Sequence, residues 1–380
     1  MGLKAIAYVE YDGDPRRWEL ERVDFGPRTL VVGRNATGKT RMLKVIAGFL
    51  SLISGKNSTV YVSGTYDVDI QVGDTDFHIE IEMKEHVVLR ELVLVNGIER
   101  MRRGSDGVGR IYFEKQDTDL DFQVPTNVIA LQQRRDEIQH SFIVKLSNWA
   151  GATRFVEFAG QENSALRPMS GLNQSISAMG ELPIDLPDLI RAYSTAFTRY
   201  QHPFDAAILE DMRTLGYDLS DVSAHDMRQF LTISLPEPLI GMSVTEQGGM
   251  VVPQHAMSQG MLRALSLVVQ MNVALFAQKS AGAAPSLLLV DDIGEGLDYG
   301  RSTAVIDMLI SRCNQLGTQL IMATNDRFVM NRVALDDWAL LRRSGSVVKA
   351  HTARNSAKQF EDFKYIGLSN FDFFTSEAFD

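Results

Sequence analysis

Eight consecutive residues carry the clearest chemistry: Gly33, Arg34, Asn35, Ala36, Thr37, Gly38, Lys39 and Thr40, in the spacing G-x-x-x-x-G-K-[ST]. Glycines at both ends let the backbone curl until successive N–H groups face one anion. A helix starting there adds the positive end of its dipole at the same point. Lys39 then reaches the outer phosphates of a nucleotide, and the Thr40 hydroxyl is suited to ligate Mg²⁺. Arg34, Asn35 and Arg41 are the residues placed for further phosphate-side contacts.

Two other groups stand far along the chain. Leu287-Leu288-Leu289-Val290 reads as a buried strand ending in Asp291 and Asp292. A carboxylate at a strand end can hold Mg²⁺ through its water shell, the role of Asp291; Asp292 stands where a base or water-orienting group would. Ser258-Gln259-Gly260 opens an apolar helix, so that a hydroxyl, a glycine N–H and a helix N-terminus make a second anion site. The first loop already serves the chain's own nucleotide. The second site therefore implies the γ-phosphate of a nucleotide held by another copy, with plain serine capping of a core helix as the alternative.

Periodicity predicts the elements that position these groups. Strands are expected at Lys4–Tyr11, Trp18–Asp24 and Thr29–Val32, followed by a helix over Thr40–Leu52 with Met42, Leu43, Ile46, Ala47 and Leu50 at helical spacing. From Thr59 to Phe113, beginning with Val60-Tyr61-Val62, alternating runs describe an antiparallel meander, with Asn96-Gly97 as a hairpin turn. Val128–Leu131 reads as a short buried strand leading to Gln132 and Gln133, and a helix-rich stretch continues to about Ile240. A strand near Leu239–Val244, the long helix from Ser258, and strands at Ser286–Val290 and Gln319–Ala323 complete the pattern, the last running into Thr324-Asn325-Asp326. Strands that alternate with helices and end in polar residues describe a largely parallel α/β sheet working at its C-terminal edge.

Composition excludes several classes. With 380 residues, 45% apolar and 23% charged, the chain has enough apolar material to offset ordering entropy. The longest apolar stretch, Leu262–Ala277, is broken by Arg263, Gln270 and Asn272, and no signal-peptide h-region is present, so no membrane association is expected. The lone Cys313 excludes an internal disulfide or a multi-cysteine zinc site and points to a cytoplasmic, reducing location. A net charge of −10 excludes a bulk nucleic-acid coat protein. Residues 134–240 hold nine Lys/Arg against fourteen Asp/Glu, a balance of −5 that repels phosphate. Arg100, Arg102, Arg103 and Arg110 lie on the meander as a phosphate patch or, the favoured reading, a solvated hairpin face. Phe360, Phe363, Tyr365, Phe371, Phe373, Phe374 and Phe379 crowd the tail, where Phe371–Phe374 reads either as a docking site or as closure of the core. Tyr11, Arg16 and Trp18 are open as adenine-stacking residues.

These motifs, in this order, resemble the ABC-type ATPase heads of the SMC/RecF-like class and the OLD-related AAA-family ATPases of prokaryotic defence systems. The resemblance implies an α/β P-loop NTPase head with an antiparallel β-subdomain, and the helix-rich stretch that it does not explain is expected to be a helical insertion lobe. Residues 1–133 and 241–350 would form the head, 134–240 the lobe and 351–380 an aromatic tail. Gly33–Thr40 resembles the Walker A loop, and Gln133 or its neighbour Gln132 the Q-loop residue that senses Mg²⁺. Ser258, Gln259 and Gly260 resemble the signature, Asp291 and Asp292 Walker B, Glu295–Asp298 the D-loop, and Asn325 falls at the switch histidine. Two residues depart from the pattern: Asp292 replaces the usual glutamate, and Asn325 cannot carry charge. The implied activity is slow ATP hydrolysis with Mg²⁺, in a homodimer closed around two ATP. Such a dimer would gate a separate effector protein such as a nuclease or toxin in antiphage defence. The segment beyond Gly345 is too short for a nuclease module of its own. A RecF-like clamp on DNA is the alternative, and a transporter subunit the remote one.

Overall fold

The computed structural model describes residues 2–160, 166–169, 188–230, 236–282, 284–364 and 368–376. Alternating buried and exposed side chains build the N-terminal part as strands: β1 (Gly2–Glu10), β2 (Trp18–Asp24) and β3 (Arg28–Gly33), then helix α1 (Lys39–Ser54). The meander follows as β4 (Ser63–Val72), β5 (Thr75–Lys84), β6 (Val87–Val95), β7 (Ile98–Arg103), β8 (Val108–Phe113) and β9 (Thr118–Gln123), each antiparallel to the next. Asn96 and Gly97 both take positive φ (50° and 77°), making the tight β6–β7 turn their sequence predicts. Val60–Val62 lies outside the strands, since β4 begins at Ser63.

The remaining elements are α2 (Ala130–Gln133), α3 (Ser141–Gly151), β10 (Arg154–Glu157), β11 (Arg167–Pro168), α4 (Leu189–Tyr200), α5 (His202–Thr214), β12 (Leu219–Asp226), β13 (Leu239–Glu246), β14 (Val251–Pro253) and α6 (Gln259–Ala281). Then come β15 (Leu287–Asp291), α7 (Tyr299–Leu316), β16 (Gln319–Ala323), α8 (Arg327–Arg332), β17 (Trp338–Ser344), β18 (Val347–Thr352), α9 (Ala357–Lys364) and α10 (Asn370–Thr375). One sheet runs β10-β15-β16-β3-β17-β18-β2-β1 and on through β4 to β9. Its first five strands are parallel. Strand β13 pairs with β11, β12 and β14 in a second, smaller sheet.

The parallel strands are buried on both faces, which is why they read as unbroken apolar runs. Leu287 and Leu289 pack with α1 and α3, whereas Leu288 and Val290 pack with α4 to α7. Among the described residues α6 alone is long and apolar enough to cross a membrane, and 83% of its most apolar window is buried in the protein. Its interior Asn272 donates to Asp211 of α5 at 2.7 Å, and Arg312 of α7 pairs with the same carboxylate, so the polar break in the helix is a satisfied core contact.

Two further expectations differ from the structure. Val128–Leu131 is not a strand: Glu91 on β6 accepts the backbone N–H groups of Ala130 and Leu131 and caps a short helical turn. Residues 134–240 hold helices α3, α4 and α5 but also β10, which forms the edge of the large sheet, and β12. The described tail aromatics follow the second of their two readings and close a core. Phe373 is fully buried, 4.8 Å from Phe360 and 4.7 Å from Phe363 between ring centroids, and Phe371 and Phe374 pack partly buried on the same cluster. Tyr365 and Phe379 lie outside the described residues.

The basic run also resolves. Arg102 pairs with Glu99, Arg110 with Asp121, and Arg100 stacks on the Tyr112 ring at 3.7 Å, the solvated face that was favoured. Arg103 is different: it is fully buried against Glu91 at 2.8 Å, and also donates to the Pro125, Thr126 and Val128 carbonyls.

Candidate functional site: a phosphate cleft

Strand β3 delivers Gly33 to the C-terminal edge of the sheet, where the loop turns through positive φ at Ala36 (65°) and Gly38 (106°) into α1. A Cβ on Gly33 would stand 2.5 Å from the Thr37 hydroxyl, and one on Gly38 would stand 3.2 Å from the Trp18 ring, so both positions need glycine. Thr37 ties the loop to itself through its N–H and hydroxyl, both on the Arg34 carbonyl. The Lys39 side chain arches back over the loop, its Nζ 2.8 Å from the Gly33 carbonyl. Burial pulls its ammonium below the ordinary lysine range, against the opposing pull of Asp292 and Asp291.

Asp291 ends β15 beside the first turn of α1. The residue is 4% exposed, and its Oδ1 is buried without a hydrogen-bond partner among the described residues. Burial raises its pKa, and the nearby Thr40 hydroxyl pulls it down. A hydroxyl and a buried carboxylate with a free lone pair are hard oxygen donors, and they fit Mg²⁺. Asp292 turns through φ 52° and sits half-buried at the cleft. Asn325, just after β16, lines the same cleft, and the neighbouring Thr324 hydroxyl donates to the Ile293 carbonyl at 2.7 Å, tying the two strand ends together.

The cleft these residues enclose measures about 530 Å³. Asn35, Ala36, Gly38, Lys39, Thr40, Arg41, Asp292 and Asn325, all residues that the sequence singles out, line it. Lys44 and Arg343 line it too and were missed. Lys44 follows Thr40 by one helical turn, a spacing that could have pointed to it. Arg343 arrives from β17, donating to the Ala36 carbonyl at 3.2 Å, and carries no local signal. Trp18 is buried under Gly38 with the Arg41 guanidinium 4.4 Å above its ring, so its faces are occupied.

Ser258, Gln259 and Gly260 are not among the residues lining this cleft. Ser258 is exposed and caps α6, accepting the Met261 N–H at 3.2 Å, so the capping role is real and leaves the hydroxyl at the surface. Gly260 packs on the loop after β15: a Cβ there would stand 2.7 Å from the Gly296 carbonyl. Arg263 donates to the Glu295 carbonyl in the same loop at 2.8 Å.

The glutamines are a correction. Gln132 donates to the Leu52 and Asn57 carbonyls, both at 2.7 Å, and so satisfies carbonyls around the C-terminal end of α1. The phosphate loop is at the other end of that helix, about 20 Å away at ~1.5 Å per residue. Gln133, exposed on α2 beside it, is held at the same distant end. Neither is among the residues lining the phosphate cleft. On the side away from β16, the strand that flanks β15 is β10, with Glu157 opposite Asp291 in register.

The model of the family described as "AAA domain, putative AbiEii toxin, Type IV TA system" matches residues 28–331, from the strand before the phosphate loop to the helix after Asn325. The chain belongs to this AAA-domain family. Its fold is that of an ABC-type P-loop ATPase head: it is similar to an Smc head solved bound to the C-terminal winged-helix domain of ScpA, at 13% identity and a TM-score of 0.55, over 94% of this chain and 99% of that one. A Pyrococcus furiosus Smc head with an extended coiled coil, bound to the C-terminal domain of ScpA, matches at 12% identity and TM-score 0.49, over 96% of this chain and 100% of that one. The Thermotoga maritima SMC head domain matches at 11% and 0.45, over 93% and 99%. No curated protein matches in sequence. In this SMC-like AAA-domain ATPase, the phosphate loop, Thr40, Asp292 and Asn325 converge on one cleft, while the Ser258 helix tip and the Glu295–Asp298 loop stand together apart from that lining.

Proposed function

We propose that this ATPase closes as a homodimer around two ATP-Mg²⁺, each nucleotide held between one copy's phosphate loop and the Ser258 helix tip of the other. The observation that carries this is the split: an exposed serine at the N-terminus of a 23-residue helix, packed on the neighbouring loop but not on its own chain's cleft. Lys39 and the loop N–H groups bind the phosphates, and Thr40 and Asp291 would hold Mg²⁺, which neutralises phosphate charge when bound. Asp292 and Asn325 orient the attacking water. An aspartate one methylene shorter than glutamate, and an uncharged asparagine, make turnover slow, which suits a switch that gates a separate effector in cytoplasmic antiphage defence. The alternative clamp on DNA lacks support from the meander, where Arg102, Arg103 and Arg110 are paired with carboxylates and Arg100 is stacked on Tyr112. Ser258→Arg tests the dimer: sedimentation with a non-hydrolysable ATP analogue should show monomers that still bind nucleotide. A variant that dimerises like the wild type overturns the proposal, and steady-state hydrolysis above ~10 per second overturns the slow-switch reading.

A further inference from the structure

Lys39, Arg41, Lys44 and Arg343 are the cations lining the phosphate cleft. The first three are engaged by their own neighbours. Lys39 arches over the loop under the pull of Asp292 and Asp291, Lys44 holds Glu157 at 2.7 Å, and Arg41 pairs with Glu10 while lying over the Trp18 ring. Arg343 differs. Both of its hydrogen bonds go to carbonyls, Ala36 at 3.2 Å and Gly345 at 2.9 Å, and among the described residues no carboxylate pairs with it. An exposed arginine near a strand end gains most entropy by swinging into water, yet this one bends back over the loop. Its charge also reaches Arg41, where it adds to burial in pulling that guanidinium below the ordinary arginine range. Two like charges held this way repel until an anion lies between them.

Sheet order decides which part of a nucleotide that anion is. Strand β3 carries the loop; β16 and β15, which lead into Asn325 and Asp292, lie on one side of it, and β17, β18 and β2 on the other. Leu341 on β17 stands opposite Gly33, so Arg343, two residues further along, comes level with the loop. Trp18 of β2 and Val348 of β18 lie against Gly38 on that same side. A triphosphate laid on the loop with its outer end towards Asp292 and Asn325 therefore directs its innermost phosphate to Arg343 and Arg41.

We propose that Arg343 is a nucleotide-binding residue whose guanidinium holds the phosphate next to the nucleoside, gripping nucleoside di- and triphosphates alike at that end. This rests on the reading of the cleft as a nucleotide site with its water-orienting groups at Asp292 and Asn325. One N–H stays on the Ala36 carbonyl, and the remaining donors of the planar fork are left for phosphate oxygens.

The full chain is titrated by calorimetry with ADP and, separately, with a non-hydrolysable ATP analogue, both with Mg²⁺. Arg343→Met should weaken both about tenfold and by the same factor, the loss of one charge-assisted hydrogen bond. A loss confined to the ATP analogue puts Arg343 at the outer phosphate and overturns the assignment, as does unchanged affinity for both ligands. Ala36→Gly separates a direct contact from a pin on the loop, because it relieves an alanine held at φ 65°. If adding Ala36→Gly to Arg343→Met restores the affinities, Arg343 acts only by holding the loop and the inference is wrong; a direct contact leaves the tenfold loss in place. Lys39→Ala runs beside them: should it keep both affinities, the reading of the cleft as a nucleotide site fails before that of Arg343.

Discussion

Replacing Gly260 by alanine isolates the contact between the Ser258 helix and the loop that follows β15. The added Cβ would stand 2.7 Å from the Gly296 carbonyl oxygen and 3.1 Å from Leu297, where ordinary contact begins at 3.4 Å. The loop must therefore retreat by about 0.7 Å, and it cannot do so by rotating a side chain because the nearer atom is backbone. Overpacking of this size costs about 1–3 kcal/mol. Alanine returns up to ~1 kcal/mol through helix propensity, so the isolated chain should lose no more than about 2 kcal/mol. The loop and the helix tip both face the proposed partner, and a cost of ~1.4 kcal/mol on that geometry weakens dimerisation about tenfold. Sedimentation equilibrium with a non-hydrolysable ATP analogue measures it, alongside nucleotide affinity under monomeric conditions. Gly248→Ala is the control, since nothing lies within 4 Å of a Cβ there. If Gly260→Ala dimerises as tightly as Gly248→Ala, the helix tip and loop are not a joint interface and the argument from their packing is wrong.

Two further substitutions test how the fold holds the cleft. Arg103→Met should cost about 3–5 kcal/mol in urea denaturation at pH 7, because Glu91 is left buried without its counter-charge. Burial raises the Glu91 pKa, against the Ala130 N–H and Arg103, so its contribution to stability is full below the unfolded value and is lost as pH rises through the folded one. Removing Arg103 lifts that pKa further, and the deficit should shrink towards pH 4; an equal deficit at both pH values contradicts a buried charge. Phe373→Ala should cost about 3–5 kcal/mol in the same assay with nucleotide affinity kept, since the ring is fully buried among Trp338, Phe360 and Phe363. A stability unchanged by that truncation would return the tail to the docking reading.

What could be read from the sequence follows how locally each feature is determined. The phosphate loop is eight adjacent residues whose conformation needs only two glycines, a strand before and a helix after, and Lys39 and Thr40 stand where that pattern puts them. Asp291 was equally legible, because a wholly buried strand must end where its first charged residue meets the edge. The Mg²⁺-sensing glutamine was misplaced for the opposite reason. Val128–Leu131 has the apolar, β-branched character of a strand, but its conformation is set by Glu91, which lies 39 residues earlier in the chain from Ala130. Gln132 and Arg135 are drawn to the free carbonyls of α1, a demand created only once the helix is packed beside them. The strand on the outer side of β15 is the four-residue β10, too short and too mixed in polarity to stand out, and only the sheet order puts Glu157 beside Asp291. A site assembled at the edge of a parallel sheet draws on strands in spatial rather than chain order, so its loop-borne half is written in the sequence and its register-borne half is not.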